Sequence, residues 1–97
     1  MIKRIVKLTF REDCVEDFLS IFETNRHRIR QANGCHSLEL LRGIDPDNVF
    51  FTYSFWESEA HLNAYRNSDL FKETWKKTKQ LFADRPQAWS VNSVVKF

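Results

Sequence analysis

The chain predicts an α+β domain in which helices pack on a four-stranded antiparallel sheet, in the order strand, helix, strand, strand, helix, strand. Three observations predict it. Four segments alternate or cluster apolar residues as strands do, and two intervening segments repeat apolar residues at helical spacing. The third is the run Val49 to Trp56, which carries large aromatics in both phases of a strand: Val49, Phe51, Tyr53 and Phe55 point one way, Phe50, Thr52, Ser54 and Trp56 the other. A small antiparallel sheet with helices on one side leaves its other side polar unless something covers it, so the second aromatic face predicts a partner subunit.

Ile2 to Phe10 reads as the first strand, with Ile2, Val6, Leu8 and Phe10 on one face and Lys3, Ile5, Lys7 and Thr9 on the other. Glu12 and Asp13 supply the negative charge that a helix N-terminus favours, and Val15, Phe18, Leu19, Phe22 and Ile29 follow on one stripe. Gly34 is the expected C-terminal cap of that helix. Cys35 to Arg42 is a second strand, joined by the turn residues Gly43 to Asn48 to the aromatic strand as a hairpin. Ser58 caps a short helix ending near Asn67, and Ser68 or Asp69 caps a second through Phe71, Trp75, Thr78 and Phe82, which Pro86 stops. Ala88 to Phe97 is the expected fourth strand, with Trp89 and Val91 on one face and Val94 on the other. The order is the ferredoxin-like βαββαβ arrangement, one domain over residues 1–97.

A chain of 97 residues buries roughly 60 to 65 per cent of its unfolded surface, a modest core that dimerisation would enlarge. Its 15 Lys and Arg are interleaved with 13 Asp and Glu, which gives no bulk attraction to nucleic acid or to a membrane. No apolar run approaches a membrane span and no secretory leader pattern precedes the first strand, so a cytoplasmic protein is expected. Cys14 and Cys35 stand in no metal-binding or redox spacing and read as small buried hydrophobes.

Several residues could carry chemistry. Arg26 falls near Val15 on the helical wheel, where a cation wants an anion, although its stem could equally pack while the guanidinium reaches water. The basic run Asn25 to Arg30 is interrupted by Ile29 and balanced by acidic residues, so it reads as a solvated helix surface. His61 and Tyr65 share a helix face. His61 is the general-base candidate by its pKa range, with a half-exposed packing histidine as the alternative; His36, on an edge strand, is a weaker candidate. Phe71, Trp75, Thr78 and Phe82 form a stripe that is core first, and could also wall an aromatic small-molecule pocket. Glycine-rich phosphate loops, nucleophile elbows and zinc motifs are missing from the sequence.

The run FFTYSFWESEAHLNAYRNSDLFKETW, with the preceding GCHSLELLRG and the closing AWSV, resembles the antibiotic biosynthesis monooxygenase (ABM) family over nearly the whole chain. The resemblance implies a dimeric α+β barrel, two ferredoxin-like sheets packed face to face. The family includes cofactor-free oxygenases of polycyclic phenols, quinol monooxygenases, heme-degrading enzymes and isomerases of signalling sugars. The heme-degrading branch carries its iron-ligating His where Trp75 stands here, its pocket Trp at Tyr65 and its first-strand Asn at Val6. The isomerase branch carries His at the positions of Arg66 and Phe71. What remains implied is a cofactor-independent monooxygenase of a quinol or polycyclic phenol, needing neither metal nor flavin. In that reading His61 and Tyr65 are catalytic, and Phe22, Arg26, Trp75, Thr78 and Phe82 bind the substrate. The alternative is a dimeric small-molecule-binding or stress-response module without turnover.

Overall fold

The computed structural model describes residues 1–97. β1 (Ile2–Thr9) leads through a 3-10 turn (Glu12–Cys14) into α1 (Val15–Arg30); β2 (Cys35–Arg42) and β3 (Val49–Trp56) form the hairpin. α2 (Glu59–Arg66), α3 (Asp69–Lys79) and β4 (Gln87–Val91) complete the chain. The sheet is antiparallel in the order β2-β3-β1-β4, the ferredoxin-like α+β fold expected from the sequence. No helix is long and apolar enough to cross a membrane.

Register explains the two faces. Val6 pairs with Thr52, and Leu8 with Phe50, on the side that the helices cover. Ile5 lies between Tyr53 and Trp89 on the opposite side, which no element of the chain covers. There Trp89, Val91 and Leu41 stay exposed, and Tyr53 meets Phe55 edge to face with ring centroids 5.0 Å apart.

Three expectations need correction. The first helix ends at Arg30 with Gln31 as its C-cap, four residues before Gly34. Gly34 does adopt the left-handed region (φ 85°), but as the entry to β2, where a Cβ would lie 2.5 Å from the Cβ of His61. It is glycine both for its backbone and because α2 approaches it there. The fourth strand stops at Val91, and Val94 is fully exposed beyond it. Phe10 also leaves the first strand, forming an isolated bridge with Phe82 that ties the end of β1 to the segment after α3.

The interior is divided. One cluster joins Leu8, Phe10, Val15, Phe18 and Phe50, with Phe10 stacked on Phe18 at 4.2 Å. A second joins Cys35, Trp56 and Leu62, with Tyr65 packed against it. Burying each of the larger side chains contributes roughly 2 to 3 kcal/mol. Both cysteines are free and buried, as their spacing suggested.

Candidate functional site

The gap between the two clusters is the candidate site. In the middle of the helix-facing side the sheet presents Arg4 and Val6 from β1, Thr52 and Ser54 from β3, and Ala88 from β4. These side chains are too small, or too polar, to fill a layer that large aromatics fill at either end. The helices bridge over a hollow of about 310 Å³. Its wall is an aromatic ladder: Trp56 stacks on Tyr65 at 4.9 Å, Tyr65 meets Phe71 edge to face at 5.3 Å, and Phe71 lies parallel to Trp75 at 5.8 Å. α2 and α3 can present this ladder because each begins at a serine whose hydroxyl accepts from the third residue on: His61 N–H to Ser58 Oγ at 3.3 Å, Phe71 N–H to Ser68 Oγ at 3.2 Å.

Two of the polar side chains on the wall are bonded within the chain. Ser54 Oγ accepts from the Trp56 indole N–H at 2.9 Å, and Thr78 Oγ1 donates to the Thr74 carbonyl at 2.8 Å. Burial pushes the Tyr65 phenol up to about 12, so near neutral pH it is a hydrogen-bond donor and not a base. The only charged residues lining the hollow are Arg4 and Arg66; His, Cys, Met, Asp and Glu are absent from it. Burial, and next the nearby Arg66, lower the pKa of the Arg4 guanidinium from its usual value.

The structure brings Tyr65, Phe22, Trp75 and Thr78 to this cavity. It places three other sequence candidates elsewhere. Phe82 packs as core against Phe10 (5.3 Å) and Trp75 (5.6 Å), outside the lining. Arg26 is exposed and paired with Glu23 at 3.0 Å, so the apolar-stripe reading of it is corrected; Asn25 is the buried neighbour, its amide donating to the Ile21 carbonyl at 2.8 Å. Arg26 lies instead in an open groove of about 890 Å³ between α1 and β2, where Glu16, Glu23 and Glu39 alternate with Arg26 and Arg30. His61 also lies outside the hollow: its Nδ1 contacts the Ser58 hydroxyl at 2.7 Å and its ring lies against Gly34. His36 pairs with exposed Glu57, whose carboxyl is held below its ordinary range chiefly by the hydrogen bond from His36. No three His, Cys, Asp or Glu side chains come together as a metal-ligand group.

The family model described as "Antibiotic biosynthesis monooxygenase" matches residues 1–77. The chain belongs to the ABM family. The "Putative heme-binding protein" of Haloarcula marismortui is 32% identical over 79 residues, covering 81% of this chain and 12% of that protein. The chain spans about an eighth of the length of the curated relatives it matches. A crystal structure described as an antibiotic biosynthesis monooxygenase superposes with a TM-score of 0.92 at 15% identity, over 98% of this chain and 100% of the other, a likeness of fold alone. A Bordetella bronchiseptica structure described as a "Putative antibiotic biosynthesis monooxygenase" gives 0.86 at 25% identity and 97% coverage of both chains.

Within this ABM domain the lining residues missed by sequence reasoning include Arg4, Trp56, Arg66 and Thr74, whereas the α3 stripe of Phe71, Trp75 and Thr78 is legible in the sequence as a possible pocket wall. Arg4 had a readable signal. It occupies the same phase of the first strand as Ile2, Val6 and Leu8, and a cation in a core phase is the anomaly to follow. Arg66 sits in the last turn of α2, where a cation is also explained by the helix dipole.

Proposed function

We propose that this ABM domain binds a planar phenol or quinol in the hollow between the sheet and helices α2 and α3, and oxygenates it with dioxygen. The observation that carries the reading is the aromatic ladder Trp56, Tyr65, Phe71 and Trp75 around a partly open, mostly apolar volume, the usual character of a small-molecule site. For a quinol the balance closes without another reductant: quinol and dioxygen give a hydroxyquinone and water, one oxygen entering the ring and the other leaving as water. The chain's tasks are orientation, exclusion of water and stabilisation of negative charge on the substrate oxygen. Tyr65, protonated near neutral pH, donates a hydrogen bond to that oxygen. His61 acts as a positioning residue that seats α2 on Gly34. The proposed assembly is a homodimer closed through Ile5, Phe51, Tyr53, Phe55 and Trp89.

The name of the Haloarcula relative raises heme as a ligand. The lining does not fit axial ligation of a heme iron: it contains no imidazole, thiolate or thioether, and the ring of its one phenol, Tyr65, is packed between Trp56 and Phe71. No step is assigned to that group.

Oxygen uptake by the purified protein against quinols, anthrones and catechols, with product mass recorded, tests the reading. The expected result is uptake with a product carrying one more oxygen, reduced about 10- to 100-fold in Tyr65→Phe and retained in His61→Ala at a lower melting temperature. No uptake by a folded wild-type protein that still binds the panel would favour a binding module without turnover. A loss of about 100-fold or more in folded His61→Ala would return that residue to the role of base.

A further inference from the structure

We propose that the molecule held in the hollow carries a resident anionic group, a carboxylate or similar oxyanion, and that Arg4 and Arg66 grip it at the mouth. This rests on the proposed small-molecule site and specifies the class of its occupant. The chain's ion pairs join Arg26 to Glu23, His36 to Glu57 and Arg42 to Asp47. Neither Arg4 nor Arg66 takes part in one, although both line the same cavity and lie close enough for their charges to interact. Arg4 is half-buried on the helix-facing side of β1, where its pairing partners across the sheet are Ser54 and Ser90, not carboxylates. One of its donors is spent on Ser90 Oγ at 3.1 Å.

A guanidinium offers five N–H donors, so most of Arg4's fork is left for a ligand. Two like charges facing one hollow are unfavourable by themselves, and burial adds to the cost for Arg4. An oxyanion bound by both offsets these penalties and can accept bidentate hydrogen bonds from either fork. Arg66 is exposed, which places the charged end of the ligand at the solvent mouth and its rings against the ladder. Snorkelling alone accounts for Arg66, but Arg4 sits on the covered face of a strand next to β4, with the second cation for a neighbour.

The test compares 1,4-dihydroxy-2-naphthoate with uncharged 1,4-dihydroxynaphthalene, bound anaerobically and measured by calorimetry. The carboxylated probe should bind about 10-fold or more tightly, the preference of a charge-assisted contact. The preference should shrink as salt rises from about 50 to about 300 mM. Arg66→Gln, at an exposed position that folding tolerates, and Arg4→Gln should each remove most of it, while Arg28→Gln on α1 should keep it. Equal binding of the two probes, or a preference that survives both substitutions, overturns the anion assignment and leaves the aromatic cavity standing. Binding of neither probe overturns both.

Discussion

At Tyr65 the ring lies between Trp56 and Phe71, and burial holds the phenol's proton up to about pH 12, against an ordinary value of 10.0. The unfolded chain loses that proton first, so between the two values it binds fewer protons than the native state. The stabilisation is therefore complete below about pH 10 and disappears as pH rises toward 12. Discounted for partial exposure, the loss should be about 1 to 2 kcal/mol. Urea unfolding of wild type and Tyr65→Phe across this range isolates it: wild type should lose stability relative to Tyr65→Phe as pH rises, and parallel curves would show that Tyr65 is not responsible.

At the scale of elements, α2 is a helix of 8 residues, too short to persist without its fixings. Those are the Ser58 cap, Leu62 in the second core cluster, and the contact of His61 with Gly34. Ser58→Ala should cost about 1 kcal/mol in urea denaturation and weaken ligand binding through Tyr65; unchanged stability would mean that packing alone holds the helix. Both serine caps, the hairpin and the aromatic strand were legible because each is decided by neighbours in sequence. The end of α1 was not, since Gly34 answers to His61, a contact across the fold. β4 was overextended for a topological reason: Val91 already faces Lys3, and β1 runs out just beyond it, so later residues have no strand to pair with. Arg26 was misplaced because its angle was measured from Val15, which marks the margin of the buried stripe of Phe18 and Ile29 and not its centre. The aromatic walls of the site could be read from α3's periodicity, but which aromatic faces a hollow and which fills the core, as Phe82 does, depends on the sheet beneath.

For the whole molecule the uncovered side of the sheet is the dominant feature. Ile5, Tyr53 and Trp89 run side by side across three strands, with Phe51 and Phe55 along β3. A contiguous aromatic surface of this kind is unusual on a monomer and fits the proposed homodimer. Sedimentation at micromolar concentration should give twice the chain mass of 11.6 kDa, and Phe51→Asp should reduce it to one chain. A wild-type protein that sediments only at 11.6 kDa would refute the assembly.

The division of the interior into two clusters has a further consequence for what can be bound. A guest that fills the hollow takes the position a core side chain would occupy, touching Leu8 and Phe18 on one side and Trp56 and Leu62 on the other. Its selection then follows the rules that govern mutation of a protein interior. A ring system one methylene-equivalent too small forfeits about 0.8 kcal/mol of transfer energy and leaves a void besides, whereas one too large must push two independently packed clusters apart. In that sense a ligand of the proposed kind would complete the fold, and its size would be tested before any polar group is consulted.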